Sequence, residues 1–447
     1  MLRPPGPKPQ FVIGNIPLAG RDPLATYTRW AAEYGDIFYY RAAWLDIYFL
    51  NRPDLIEYVL VQNPQNFLKD RVVRNSRWLL GEGLLTAEGS SWKRQRRTIQ
   101  PAFWRERIAA YARHMTASAE EMVASWQPGM VVDIHREMMA LTLRVVMRAL
   151  FESETMETET ISRALNVVMR NSLGGKLLLP SFFRYLPLGE MRAVRRAVAE
   201  MNAAVYHIVR QRRDVPQASR GDLLSILLQA DGDSGAGMSP EQVRDEVMTF
   251  LLAGHETTAL ALSWALYLLG RNEEARRKLQ EEVDRVAARR TLTMSDIASL
   301  PFTENVIKET LRLYPPAWSV ARTAIHDFEL EGYRIPGGAN IVMSQWIMHR
   351  DARYFTAPES FDPDRWSTAR CRNLPRFAYF PFGGGPRQCV GASFAMTEAV
   401  LILATLARQF QIEALDDVAM PPVPGFTLRP QRAIPMRIEA RRLVSAT

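Results

Sequence analysis

Apolar residues recur at three- and four-residue intervals from about residue 90 to residue 300, the repeat that lays an apolar stripe along a helix. Gly and Pro clusters near 172–189 and 231–240 interrupt it. Residues 37–50 follow another rule. They are rich in aromatic and β-branched side chains and predict a pair of strands, after which Asn51, Arg52, Pro53 and Asp54 open a short helix. Between 320 and 345 the pattern turns to short strands, with Gly332, Pro336, Gly337 and Gly338 marking turns. A further helix is expected from Ala392 to about Arg408. The pattern predicts a mainly α chain with a small β-rich subdomain and no internal repeat.

The longest uninterrupted stretch begins at Ser239-Pro240-Glu241-Gln242, where serine can cap, proline suits the first turn and Gln242 can reach back. It runs to Gly270, about thirty residues or roughly 45 Å, enough to cross a whole domain. Its middle reads Ala253-Gly254-His255-Glu256-Thr257-Thr258, poor material for helix building alone. Glycine costs about 1 kcal/mol against alanine, the β-branched threonines add to that, and a charged residue among apolar ones needs a reason. A kinked helix with a solvent-facing Glu is the plain reading; a local opening of the helix beside a flat ligand is the functional one.

Residues 382–391 are the most informative part of the chain. Cys389 lies on a glycine-rich loop, where a backbone free of side chains allows close approach, and Arg387 supplies a fixed positive charge two residues earlier. A lone thiolate beside a cation suits axial ligation of a haem iron with a propionate nearby. Phe382, Gly385, Arg387, Cys389 and Gly391 match the spacing Phe-x-x-Gly-x-Arg-x-Cys-x-Gly, and here the chain resembles the cytochrome P450 superfamily. The resemblance runs from the proline-rich leader to Phe426-Thr427-Leu428-Arg429-Pro430.

That resemblance implies the P450 fold, with the long central helix over a buried haem b (iron protoporphyrin IX), in a single domain over residues 1–447 with a leader at 1–20. It implies that Cys389 is the iron ligand, with Phe382, Gly383, Arg387 and Gly391 around it. Ala253 and Gly254 would border the oxygen site, Thr257 would hydrogen-bond the oxygen, and Glu256 would relay protons. Trp92 and Arg96 share a helix face and resemble the family's Trp-x-x-x-Arg contact to a haem propionate, while Arg322 would meet the other propionate. Lys93, Arg94 and Arg97 would then point elsewhere, as a basic dock for an electron donor. Glu309, Arg312 and Arg365 would form a structural triad near the cysteine loop.

Composition narrows this further. The 447 residues include 56 basic and 48 acidic side chains, a net charge of +8, scattered without a nucleic-acid motif, so an acidic electron donor is the expected partner. Two cysteines, Cys371 and Cys389, make no disulfide framework and favour a reducing compartment. No apolar stretch is long enough to span a bilayer. A soluble, cytoplasmic, bacterial-type monooxygenase is expected, using O2 and electrons from a separate ferredoxin or flavoprotein. Apolar residues in the variable regions (Trp78, Leu79, Leu80, residues 177–179 and 182–183, Ala317, Trp318 and Phe426) suit a lipid-like substrate. Fatty acids are favoured, with terpenoids and steroids behind them. A peroxide-driven peroxygenase and a non-enzymatic haem sensor or carrier are the alternatives.

Overall fold

The computed structural model describes residues 3–10, 13–16, 20, 22–153, 157–171, 189–213, 221–229, 238–287, 290–415 and 418–441. The interruptions read near 172–189 and 231–240 lie largely outside them. Helix α1 (Pro23–Tyr34) leads into the antiparallel pair β1 (Ile37–Ala42) and β2 (Leu45–Leu50), where the aromatic run predicted strands. Strand β3 (Phe67–Lys69) precedes the helical half: α2 (Gly89–Ile99), α3 (Arg105–Ala124), β4 (Val131–Asp133), α4 (Ile134–Phe151) and the long α5 (Pro240–Gly270). Helix α6 (Pro301–Leu313) is followed by β5 (Val320–Ala324), β6 (Phe328–Leu330), β7 (Tyr333–Ile335) and β8 (Asn340–Met343). The chain closes with α7 (Ala392–Gln409), β9 (Phe410–Ala414), the hairpin β10 (Pro422–Pro424) and β11 (Leu428–Pro430), and β12 (Pro435–Ala440).

One five-stranded sheet has the order β1-β2-β8-β5-β3, and β4-β12-β9 form a second sheet. The main core is helical. Helix α5 crosses it, capped as the sequence predicts: Gln242 N donates to Ser239 Oγ at 3.2 Å, and Ser239 N donates to Gln242 Oε1 at 3.0 Å. Its neighbour α7 is apolar all round from Ala399 to Leu406, apart from Thr405, as a helix enclosed by others must be.

A buried charge network ties α6 to the segments before the cysteine loop. Glu309 and Arg312, one turn apart, are fully buried and joined by two bonds of 2.9 and 2.8 Å. Arg365 Nε donates to Glu309 at 2.9 Å, as do the Asp362 amide at 3.0 Å and the Trp366 indole at 3.0 Å. Two cations on one carboxylate leave a surplus charge, which backbone carbonyls of Thr356, Pro358, Ser360 and His349 absorb. Removing Glu309 from such a site strands two buried guanidinium groups, at a cost on the order of 3–5 kcal/mol.

His349 passes this rigidity to the loop, because its Nε2 accepts a 3.0 Å bond from Phe380 N. Burial, reinforced by the Arg312 charge, pushes its imidazole down from 6.5 to about 3. The folded protein therefore holds His349 neutral while the unfolded chain takes up a proton below 6.5. Stability falls as pH drops through that window, at up to about 1.4 kcal/mol per pH unit. In His349→Gln the side-chain oxygen still accepts from Phe380 but has nothing to titrate. Urea unfolding between pH 6.5 and 4 should show a slope shallower by nearly one proton in the variant; parallel curves would contradict this account.

Candidate active site

The loop before α7 is shaped by the protein around it. Gly384 packs under the Phe377 ring and Gly385 under the Leu60 carbonyl, where a Cβ would lie 2.4 and 1.8 Å from its neighbours. Gly383 and Gly385 also have φ of +68° and +67°, a region favouring glycine. The loop glycines thus serve packing and backbone geometry; of the predicted set only Gly383 borders open space. Cys389 N donates to Phe382 O at 3.0 Å, closing the loop. Cys389 presents exposed surface although protein encloses it, as a side chain lining an internal hollow does. Burial pushes its thiol up, opposed by the Gly391 amide and by the charges of Arg96 and Lys69.

Cations converge beside it. Arg387 stacks on Trp92, 3.9 Å from the ring centroid, donates to Ala87 O at 2.8 Å and pairs with Glu88. Arg96 donates to Gln388 O at 2.8 Å, next to Cys389. So the indole on α2 receives the loop arginine, and Arg96 grips the loop backbone. Arg322 on β5 is buried and stands directly across the strand pair from Lys69 on β3. Like charges opposed in a sheet repel. Burial, then Arg322 and Arg387, push the Lys69 ammonium down to about 7. Asp70 and Glu88 are the acids acting on this group, against Lys69, Arg322 and Arg387. With Arg96, four cations face two carboxylates, a surplus that an anionic ligand would neutralise.

Helix α5 supplies a second wall. It is continuous from Pro240 to Gly270, so the expected local opening is absent. Instead Thr257 Oγ1 donates to Ala253 O at 2.7 Å and Thr258 Oγ1 to Gly254 O at 3.3 Å, each hydroxyl bonding back one turn. Ala253 is exposed and Gly254 and Thr257 are half-buried within a stretch otherwise largely enclosed. Their i, i+1, i+4 spacing makes them one face. Glu256 does not face solvent: it is 2 % exposed and is held by the hairpin at the C-terminal end.

Trp318 and Phe426 are neighbouring elements, since Trp318 Nε1 donates to Gly425 O at 3.0 Å. Leu79 and Leu80 are buried in the core, and residues 177–179 and 182–183 lie outside the described residues. Sequence reasoning missed Lys69, Glu88, Thr427 and Arg429. Lys69 and Glu88 carry no periodic or motif signal, Thr427 and Arg429 lie in the Phe426-to-Pro430 segment without any sign there of their pairing with Glu256, and each reaches its place by a long-range pairing. On α2, Lys93 and Arg97 join Trp92, Arg96 and the exposed Trp104 around an open groove of about 310 Å³.

The family model for cytochrome P450 matches residues 4–435. The chain belongs to the cytochrome P450 family. It is 36% identical over 440 residues to cyclooctatin synthase of Streptomyces melanosporofaciens, covering 96% of this chain and 94% of the relative. It is also 36% identical to cyclooctat-9-en-7-ol 5-monooxygenase of the same organism, covering 93% and 90%. To pentalenene oxygenase of Streptomyces avermitilis it is 34% identical, covering 98% and 97%. This P450 is therefore an oxidoreductase of the monooxygenase class with a haem-thiolate cofactor. The residues fit that group: a thiol on a closed loop, beside a surplus of buried and half-buried cations. No helix among the described residues is long and apolar enough to cross a membrane.

The charge surplus gives a direct test with the apoprotein. Lys69→Met should weaken haem binding by about 10- to 100-fold, the equivalent of one charge-assisted bond. Haem whose propionates are esterified should bind the wild type and the variant alike. If Lys69→Met loses the same affinity for both forms, Lys69 does not read the propionates.

Proposed function

We propose that this P450 hydroxylates a C–H bond of a terpenoid, using O2 and electrons from a separate ferredoxin or flavoprotein. The observation that carries the substrate class is the set of three bacterial relatives, each aligned over nine-tenths or more of both chains, whose names denote terpenoid products or substrates. Fatty acids, expected from the sequence, move behind terpenoids on that ground. The apolar side chains of Trp318 and Phe426 suit a rigid hydrocarbon skeleton, which needs few polar contacts.

Cys389 would hold the iron of haem b through its thiolate, and Arg387, Arg322, Arg96 and Trp92 would hold the propionates. Bound there, the haem supplies activation of dioxygen and insertion of one oxygen atom into a C–H bond. The chain's own residues orient the substrate, exclude water and deliver protons. Thr257 offers a hydroxyl on the exposed face of α5, and Glu256 is the adjacent acid that can pass a proton towards it. Phe382, Gly383, Gly391, Ala253 and Gly254 border the space between loop and helix. The acidic donor docks on the groove beside α2, where Lys93 and Arg97 supply charge and Trp104 an apolar contact.

An optical titration with terpenes, fatty acids and steroids, following the Soret band, tests the substrate class. A saturable shift with cyclic terpenes and none with fatty acids is the expected result; the reverse would restore the fatty-acid reading. For the docking face, Lys93→Gln with Arg97→Gln should slow reduction by the donor and flatten its salt dependence. Stopped-flow reduction identical to wild type at low salt would remove the groove from the donor's path.

A further inference from the structure

Three consecutive charged residues, Arg244, Asp245 and Glu246, interrupt the apolar run near the start of α5. Each takes hold of the backbone of residues 79–84. Arg244 Nη2 donates to Leu79 O at 2.9 Å, while Asp245 Oδ2 accepts from Glu82 N at 2.8 Å and Glu246 Oε2 from Leu84 N at 3.0 Å. Arg244 also pairs with Asp245 at 2.8 Å, and its Nε donates to Asn202 Oδ1 at 2.9 Å on the helix Gly189–Arg213. The segment has no room for side chains where it crosses α5. A Cβ on Gly81 would lie 2.0 Å from the Asp245 carboxylate, and one on Gly83 would lie 2.2 Å from Thr249 Oγ1. From the other side Gln95 on α2 donates to Glu82 O at 2.7 Å.

Packing a connection onto a helix does not require buried charge, and apolar side chains would do it without desolvating ions. What hydrogen bonds add is a defined position for the backbone. The path of the segment shows what that position serves. Thr249, beneath Gly83, stands one turn before Ala253 on α5. At the far end of the segment Ala87 O and Glu88 receive Arg387 beside Cys389. Residues 79–88 therefore run along the space between α5 and the cysteine loop. We propose that Glu246, with Arg244 and Asp245, is a positioning residue that fixes residues 79–85 as a wall of the substrate space and so sets its shape. This rests on the reading of that space as the substrate site. Burial pushes the Glu246 carboxyl up to about 8, opposed by the Leu84 amide and reinforced by Asp245. Near neutral pH Glu246 thus holds the loop chiefly as a neutral acid, and an amide of the same length can replace it.

The test uses the haem-loaded protein and two azoles whose binding does not depend on the identity of the substrate. Imidazole needs only the iron, whereas 4-phenylimidazole also needs the walls beside it. Glu246→Leu removes the acceptor for Leu84 N, Glu246→Gln keeps one, and Gly83→Ala pushes the segment off Thr249 while leaving the charges of α5 in place. Hydrogen exchange over residues 79–88 should be about tenfold faster in Glu246→Leu and in Gly83→Ala, the equivalent of one lost hydrogen bond. The same two variants should bind 4-phenylimidazole several-fold more weakly, read from the Soret shift, and bind imidazole as the wild type does. Glu246→Gln should match the wild type in exchange and in both affinities. Faster exchange with wild-type affinity for 4-phenylimidazole in both Glu246→Leu and Gly83→Ala would reduce the clasp to a structural fixture and overturn the proposal. Unchanged exchange in both would overturn the clasp itself. Absence of any Soret shift with imidazole in the wild type would instead overturn the haem-thiolate site on which the reading rests, and a preference for fatty acids over terpenes leaves the test as it stands.

Discussion

The constraint on which the site depends is an excess of positive charge beside the thiol, buried at Arg322 and half-buried at Lys69, Arg387 and Arg96. Lys69 and Arg322 face each other across β3 and β5, with Arg387 and Arg96 converging from the loop and α2. Glu88 answers part of this: one carboxylate oxygen takes the Lys69 amide at 2.6 Å and the other pairs with Arg387. Two acids cannot balance four bases in a low-dielectric space, and the burden shows in Lys69, whose ammonium is pushed down to about 7. A dianionic ligand beside the thiol removes the repulsion. Two of these cations, Arg96 and Lys69, also favour the thiolate of Cys389.

Such a field is useful only if the loop carrying Cys389 stays put. Glu309, Arg312 and Arg365 secure the segments behind it, and His349 connects that network to Phe380. Gly384 and Gly385 then let the loop lie flat on Phe377 and the Leu60 carbonyl. The buried pair on α6 is thus a fixture for the loop: positional accuracy comes from a network whose members are nearly all satisfied by backbone carbonyls.

What was legible in the sequence was local. Strand pairs, the capped start of α5 and the helix after Cys389 all follow from spacings of a few residues. Among the glycines near Cys389, packing demands Gly384 and Gly385, while Gly383 borders open space. One reading needed revision for a physical reason. The Gly254-to-Thr258 stretch suggested an opened helix, yet the threonine hydroxyls bond back to the Ala253 and Gly254 carbonyls and the helix continues. Lys69, Glu88, Thr427 and Arg429 were illegible because each acquires its meaning across the fold: Arg429 meets Glu256 from 173 positions away.

The central helix shows why local cost is the better guide to function than local pattern. Pattern alone makes residues 240–270 an apolar helix with an awkward middle. Cost asks what offsets a glycine, two threonines and a buried carboxylate within five residues. Part of the answer is structural, since the hydroxyls satisfy backbone carbonyls and Arg429 compensates the charge. That compensation is itself costly, as an apolar pair of similar volume would fill the space without desolvating two ions. The pair joins α5 to a separate hairpin at the C-terminal end of the fold. Stability alone gives little reason for such a pair.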